Sequence, residues 1–311
     1  MWWICYKGRK PGGNMRFQIS AALSCSAVIL VGCIAETERA EGVGSSALAL
    51  SVENSYVLAL GDSLAAGHQL APEEPGHCCG KDGYADQLHK ALRAGDPKLR
   101  LRVLACGGET TATMIHGGGL CSYEHGSQLG EAIAWVKNKN LCLVTIDIGA
   151  NDVLGCLQRP DAPPTCIPDA FTSVATNLTA ILTTLREAIG PDVPIIGMNY
   201  YNPLIAQWLH GTEGARAAAI ASQTSLVAPF NDLLEQVYSL GANAVADVES
   251  AFASANFTLP DAIMVEVAPG TSIPLSVANI CAYTWMCGAG DIHPNTAGYA
   301  LIAKAFQDEL R

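Results

Sequence analysis

The sequence predicts an α/β fold in which helices cover both faces of one parallel β-sheet. Five short segments are rich in Val, Ile and Leu and do not alternate strictly with polar residues. This pattern is typical of strands that are buried on both faces. Longer amphipathic segments separate them, and a regular alternation of strand and helix favours parallel βαβ units in a doubly wound sheet. Functional sites in such sheets form beyond the carboxyl ends of the strands.

Turn-forming residues delimit most of these elements. The strand candidates are residues 56–60, 99–105, 141–148, 193–198 and 244–248. The main helix candidates are residues 84–94, 126–137, 168–189, 213–240 and 296–310. Glycines follow the first three strands, and Asn295 or Thr296 starts the last helix. Two segments, 153–168 with its four prolines and 251–290 with weak periodicity, are predicted to be long loops, which are usually functional or disordered.

The composition excludes several classes of protein. Half of the 311 residues are hydrophobic and 15% are charged, whereas a disordered chain is poor in apolar residues and rich in charge. A formal charge of -11 argues against nucleic acid as a partner, because the phosphate backbone requires a basic surface. Twelve cysteines indicate export or metal binding. The paired CxxC or CxxH spacing of zinc sites is absent, so we expect no metal.

The N-terminal segment has the pattern of an export signal. Four basic residues precede an apolar run at 17–35, which is typical of a secretory signal at residues 1–32. The run contains Leu30-Val31-Gly32-Cys33, which resembles the lipobox of bacterial lipoproteins and predicts lipidation of Cys33. An ordinary cleaved signal and an uncleaved anchor are the alternatives, and Met15 is an alternative start. We expect a flexible tether at 33–54, a single domain at 55–311, and membrane contact only through the lipid anchor.

Polar residues that are suited to acyl transfer follow the predicted strands. Ser63 comes directly after the first strand, but a serine requires a base within hydrogen-bond reach to act as a nucleophile. His293 is the best candidate base among seven histidines, because it lies in a turn just before the last helix. The backbone N–H groups of Ser63 and Gly108, with the side chain of Asn151, would stabilise negative charge on a carbonyl oxygen.

Four sequence blocks in this order resemble the SGNH/GDSL hydrolase family. The blocks are Gly61-Asp62-Ser63-Leu64, Gly108, Gly149-x-Asn151-Asp152 and His293-Pro294. The resemblance covers about residues 55–311, and the chain looks most like secreted actinobacterial esterases and lipases with short-loop disulfides. It implies a three-layer, flavodoxin-like α/β/α sandwich, ester hydrolysis and no cofactor. It also implies Ser63 as nucleophile, His293 as base, and an oxyanion hole formed by Ser63, Gly108 and Asn151.

One position departs from the family pattern. The family usually has an aspartate three residues before the histidine, where this chain has Gly290, and Asp291 lies only two residues before His293. Either the turn is one residue tighter and Asp291 still reaches Nδ1 of His293, or the backbone carbonyl of Gly290 accepts that hydrogen bond. The sequence leaves both alternatives open.

The remaining cysteines fall into near pairs beside the candidate site. Connectivity cannot be deduced from sequence alone, but the family resemblance favours the pairs Cys106–Cys121, Cys156–Cys166 and Cys281–Cys287. Each bond would constrain a loop in an oxidising compartment. Cys142 lies inside a strand and is expected to be a buried free thiol. Cys78 and Cys79 are not assigned.

These observations predict an exported serine ester hydrolase, either an envelope lipoprotein or a secreted protein. The alternatives are a carbohydrate O-acetylesterase or thioesterase with the same machinery, and a non-catalytic envelope lipoprotein that binds acylated ligands. The expected partner is an ester or lipid substrate, and we expect a monomer.

Tyr200, Tyr201 and Trp208 follow the fourth strand and are candidates for the wall of the acyl pocket, with ordinary packing as the alternative.

Overall fold

The computed structural model describes residues 54–70, 81–255, 257 and 262–310. All of them belong to one compact unit. The predicted signal segment, the lipidation site Cys33, the tether up to residue 53, and Cys78 and Cys79 lie outside the described residues. Among the helices that the structure describes, none is long and apolar enough to cross a membrane.

Five parallel strands form the central sheet, as predicted. They are β1 (Ser55–Gly61), β2 (Arg100–Val103), β3 (Asn140–Asp147), β4 (Ile195–Met198) and β5 (Ala244–Ala246). Their order is β2-β1-β3-β4-β5, which is the order of flavodoxin-like sheets. The chain moves from β1 to β2 on one side and later returns to β3 on the other side. The resulting crevice at the carboxyl ends of β1 and β3 is where this topology places ligands.

Two layers of helices cover the sheet and complete the predicted α/β/α sandwich. The helices of the first half are α1 (Tyr84–Leu92), α2 (Thr111–His116), α3 (Gln128–Val136), α4 (Ala150–Leu157) and α5 (Cys166–Ile189). Those of the second half are α6 (Glu213–Ser222), α7 (Ala228–Tyr238), α8 (Val248–Ala251), α9 (Leu275–Tyr283), α10 (Met286–Ala289) and α11 (Thr296–Asp308). Helix α1 packs against α11, and α5 packs against α3 and α7. The rings of Tyr84 and Phe306 stack at 4.8 Å between α1 and α11.

The prediction of a long loop at 153–168 is wrong. Helix α4 continues to Leu157 and α5 already begins at Cys166, so only a short connection separates them. Pro168 lies in the first turn of α5, where a backbone N–H has no partner within the helix and proline is tolerated. Three of the four prolines therefore lie outside the helices, and the fourth is compatible with a helix start.

The segment 251–290 is also more regular than predicted. It contains an antiparallel hairpin, β6 (Met264–Ala268) and β7 (Thr271–Pro274), followed by α9 and α10. The hairpin strands are too short and too exposed to give a clear apolar period. A 3₁₀ helix at Pro203–His210, which was not predicted, follows β4.

The predicted helix at 213–240 is interrupted by a wide π turn at Gln223–Val227. Pro229 explains the irregularity, because it has no N–H to donate and its ring would clash with the carbonyl four residues earlier. In the π turn the N–H of Ala228 instead donates to the carbonyl of Gln223. Such turns are frequent at functional sites, and this one contributes Leu226 and Val227 to the wall of the cavity described below.

Substitution of Gly197 in β4 tests how tightly this strand packs against α7. A Cβ atom added at Gly197 would lie 2.5 Å from the buried ring of Tyr238. Gly197→Ala should therefore lower the free energy of unfolding by about 1–3 kcal/mol. The matched control is Gly155→Ala in α4, where an added Cβ meets nothing within 4 Å. This change should stabilise the protein by about 0.5–1 kcal/mol. Equal effects of the two changes in urea unfolding would contradict this account.

Candidate active site

The turn after β1 presents Ser63 at the edge of the sheet. Gly61 has a φ of +136°, and a Cβ atom there would lie 2.1 Å from the carbonyl oxygen of Asp147, so only glycine fits. The side chain of Gln128 accepts from the N–H of Gly61 at 2.7 Å and donates to its carbonyl at 2.9 Å. Inside the turn, the N–H of Leu64 donates to Oδ1 of Asp62 at 2.9 Å. These contacts fix the backbone on both sides of Ser63.

His293 lies between Ser63 and Asp291. Its Nε2 is 2.8 Å from Oγ of Ser63, and its Nδ1 is 2.7 Å from Oδ1 of Asp291. Because a carboxylate only accepts, the proton of the neutral imidazole is assigned to Nδ1, which leaves the lone pair of Nε2 facing the serine hydroxyl. Burial lowers the pKa of His293, although Asp291 opposes this shift. The shift favours the neutral imidazole, which is the form that can accept a proton at Nε2.

The geometry distinguishes the two alternatives for the partner of His293. The side chain of Asp291 also accepts the backbone N–H of His293, at 2.8 Å, which closes the tighter turn. Gly290 ends α10 with a left-handed conformation, and its N–H donates to the carbonyl of Met286. The hydroxyl of Tyr201 donates to the carbonyl of Ile292 at 2.6 Å and fixes the loop from the other side. The acceptor for Nδ1 is therefore the carboxylate of Asp291.

Gly108 and Asn151 complete the polar edge of the cavity. Gly108 has a φ of +74°, which favours glycine. The Nδ2 group of Asn151, at the start of α4, donates one hydrogen to the carbonyl of Glu109 at 2.9 Å. That bond orients the amide and leaves its second hydrogen for a ligand. Asp152 has a structural role, because its carboxylate accepts from the N–H and hydroxyl of Thr111 at the start of α2.

A family model described as "GDSL-like Lipase/Acylhydrolase family" matches residues 59–301. The chain belongs to this family. The match contains Ser63, Gly108, Asn151 and His293, so the family resemblance seen in the sequence is confirmed. No curated protein matches the chain.

Solved structures show the same fold at low sequence identity. A lipase, Lip_vut3, from a goat rumen metagenome is 18% identical with a TM-score of 0.52, covering 82% of this chain and 96% of that chain. The extracellular lipase of Streptomyces rimosus is 18% identical with a TM-score of 0.50, covering 82% and 99%. A variant of Axe2, an acetyl xylan esterase from Geobacillus stearothermophilus, is also 18% identical with a TM-score of 0.50, covering 83% and 95%. The hydrolase fold is therefore common to this chain and enzymes named for different esters.

A cavity of about 410 Å³ adjoins Ser63 and His293. Its walls are mainly apolar, and the side chains come from α4, the 3₁₀ helix, the π turn and the start of α7. The apolar and aromatic residues that line it are Leu64, Leu120, Ala150, Val153, Leu154, Leu157, Tyr200, Tyr201, Pro203, Leu204, Leu226, Val227, Phe230 and Ile292. Tyr200 and Tyr201 are thus wall residues, whereas Trp208 packs elsewhere, with its ring 5.5 Å from that of Phe257.

Disulfide bonds constrain the loops around this cavity. The three predicted pairs, Cys106–Cys121, Cys156–Cys166 and Cys281–Cys287, are all present. The first holds the loop that contains Gly108, and the second joins α4 to α5. Cys142 is half-buried and disulfide-bonded, so the expectation of a free thiol at this position is wrong.

The sequence interpretation missed a buried pair of carboxyl groups beside Ser63. Asp62 is 2% exposed and Asp147 is fully buried. Oδ1 of Asp147 accepts from the hydroxyl of Tyr84 at 2.6 Å, and Tyr200 contributes a long hydrogen bond to Asp62 at 3.5 Å. Burial raises the pKa of Asp62 to about 6, and burial together with repulsion from Asp62 raises the pKa of Asp147 well above its usual value. A carboxylate at the end of a mostly apolar strand was the available signal.

This pair should make stability depend on pH. Because the folded pKa of Asp62 lies above its unfolded value of about 4, the native state holds the proton more tightly. The contribution is full at low pH and is lost as pH rises from about 4 to about 6. For a shift of about two pKa units it amounts to about 3 kcal/mol. The loss in free energy of unfolding between about pH 4.5 and about pH 7.5 should therefore be smaller in Asp62→Asn than in the wild type.

The control for this comparison is Asp169→Asn, which removes an exposed carboxylate from α5. It should retain the pH dependence of the wild type. Identical pH dependence of all three proteins in urea unfolding would exclude Asp62 as its source.

Proposed function

We propose that the protein is an exported serine ester hydrolase whose substrate inserts an acyl chain longer than acetyl into the apolar cavity. Membership of the family supports a hydrolase that acts on esters. The observation that carries the proposal is the hydrogen-bonded series Ser63–His293–Asp291 at one end of a 410 Å³ apolar cavity. A cavity of this size and lining is suited to hydrocarbon, because burial of apolar surface is favourable and an acetyl group would leave most of the cavity empty.

In the proposed mechanism, Oγ of Ser63 attacks the ester carbonyl while Nε2 of His293 accepts its proton. The carbonyl oxygen becomes negative and receives hydrogen bonds from the N–H groups of Ser63 and Gly108 and from Nδ2 of Asn151. His293 then donates its proton to the departing alcohol, which leaves an acyl-serine. Water repeats the sequence with His293 again as base, and the carboxylic acid is released.

Asp291 is proposed to hold the imidazole in the tautomer that can accept a proton at Nε2. Its carboxylate also stabilises the imidazolium that forms during each transfer. The position of the carboxylate supports this role, because one oxygen contacts both Nδ1 and the backbone N–H of His293.

Export is supported by two independent features. The N-terminal segment has the pattern of a secretory signal with a lipobox at Cys33. Three disulfide bonds join pairs of described cysteines, Cys142 is disulfide-bonded as well, and such bonds form and persist in oxidising compartments. Lipidation of Cys33 would attach the enzyme to a membrane without a spanning helix.

An ester series with increasing acyl length tests the activity and the cavity together. Wild-type protein should hydrolyse p-nitrophenyl esters, with a higher kcat/KM for a medium-length acyl chain than for acetate. Ser63→Ala should lower kcat/KM by at least about 10³-fold for every ester. Absence of Ser63-dependent turnover on any ester would refute the proposal and favour a binding protein. Turnover of acetate alone would favour the O-acetylesterase.

The variant Asp291→Asn tests whether this carboxylate orients His293 during catalysis. Asp291→Asn should lower kcat by between about 10² and 10⁴-fold with little change in KM, because the amide disturbs the tautomer of His293 but touches no substrate. The control is Asp161→Asn, an exposed change in the loop between α4 and α5. A loss of less than about tenfold for Asp291→Asn would show that the carboxylate is dispensable.

A further inference from the structure

A second histidine lies against His293. The rings of His68 and His293 have centroids 4.2 Å apart and an interplanar angle of 44°. The backbone of His68 is fixed at both ends of the residue, because its N–H donates to the carbonyl of Ser63 at 2.9 Å and its carbonyl accepts from the hydroxyl of Tyr299 at 2.7 Å. The proposed mechanism assigns no role to the His68 side chain, which is half-buried and faces the cavity.

His68, Asp291 and His293 together form a possible ligand set. One ligand atom from each lies within 4.8 Å of the other two. Two imidazole nitrogens and one carboxylate oxygen are the protein ligands of many open zinc sites. With metal–ligand distances of about 2.0–2.1 Å and tetrahedral angles, ligand atoms are about 3.3 Å apart. Ligand atoms that lie farther apart than this would need to approach by at most about 1.5 Å. Nδ1 of His293 and Oδ1 of Asp291 are already 2.7 Å apart and would separate by about 0.6 Å if both bound the ion.

The negative charge of the Asp291 carboxylate also favours binding of a divalent cation by these three side chains. In the described part of the chain, the ion-pair partner of Asp291 is His293, and no Lys or Arg is paired with this carboxylate. The side chains of Asp291 and His293 are 21% and 17% exposed, so an ion can enter from the cavity. The argument from cysteine spacing that no metal is expected does not apply to this group, because none of its members is a cysteine.

We infer that His68, Asp291 and His293 form an inhibitory site for a divalent transition-metal ion such as Zn²⁺. A neutral imidazole has one proton and one free lone pair. If the ion binds Nδ1 of His293, the proton moves to Nε2, which then donates towards Ser63 and cannot accept from it. If the ion binds Nε2, it takes the place of the serine hydroxyl. In either case the base loses its free lone pair, no electron is transferred, and removal of the ion restores activity.

Zinc chloride titrated into the protein tests the site directly. Isothermal titration calorimetry should show that His68→Gln binds Zn²⁺ at least about tenfold more weakly than wild type. His68→Phe, which keeps an aromatic ring against His293 but has no nitrogen ligand, should give the same loss. His125→Gln is the matched control, because it removes an exposed histidine that is paired with Glu131 and belongs to no part of this cluster.

Ester hydrolysis provides the second measurement, with each variant compared with its own metal-free rate. Zn²⁺ should inhibit wild type and His125→Gln at the same concentration, EDTA should restore the rate, and both His68 variants should require at least about tenfold more zinc. Mg²⁺ should not inhibit, because it prefers oxygen ligands. Equal zinc sensitivity of wild type and both His68 variants, or activation by zinc, would overturn the inference.

Inhibition rests on the proposed function, but binding does not. A protein that binds zinc through His68 and shows no Ser63-dependent turnover would retain the metal site and refute the proposed hydrolase. An active hydrolase whose zinc affinity is unchanged in both His68 variants would retain the proposed function and refute the site.

Discussion

The active-site geometry depends on the close contact between the carboxyl ends of β1 and β3. Gly61 approaches the Asp147 carbonyl so closely that a side chain has no space, and the N–H of Asp62 donates to that same carbonyl at 3.1 Å. This contact fixes the direction in which the chain leaves β1, and therefore the position of Ser63. Because α4 begins just beyond the end of β3, it also fixes where Asn151 lies relative to the serine.

The contact has an electrostatic cost. It buries two carboxyl groups, Asp62 and Asp147, beside the serine, and their described partners are hydroxyl and backbone N–H groups. Such groups partly replace water around a carboxylate but do not neutralise it. The native state therefore favours protonation of the pair. Burial favours the neutral form of His293 as well, so its pKa shifts downwards where those of the two carboxyl groups shift upwards.

The fold gives the cavity a polar end and an apolar end, because different segments of the chain form each of them. Its polar end is formed by the turns after β1, β2 and β3 and by the loop before α11, which meet at one edge of the sheet. Its apolar walls come from segments that follow β3 and β4, including the irregular π turn. The disulfide Cys106–Cys121 holds the loop after β2 that contains Gly108, and Cys156–Cys166 joins α4 to α5 beside the apolar wall. The same arrangement places His68 against His293, next to the carboxylate of Asp291.

The sequence by itself determined the parallel sheet, the family and the positions of Ser63, Gly108, Asn151 and His293, because strand periodicity and short motifs are local properties of the chain. It also indicated the three cysteine pairs through the family resemblance. Only the tertiary structure decided that Asp291, rather than the carbonyl of Gly290, accepts the hydrogen bond from His293. It alone also showed that Asp147 is buried beside Asp62, that Cys142 is not a free thiol, and which apolar residues line the cavity. Each of these depends on contacts between segments distant in sequence or on the exact course of a turn, and neither composition nor spacing encodes such contacts.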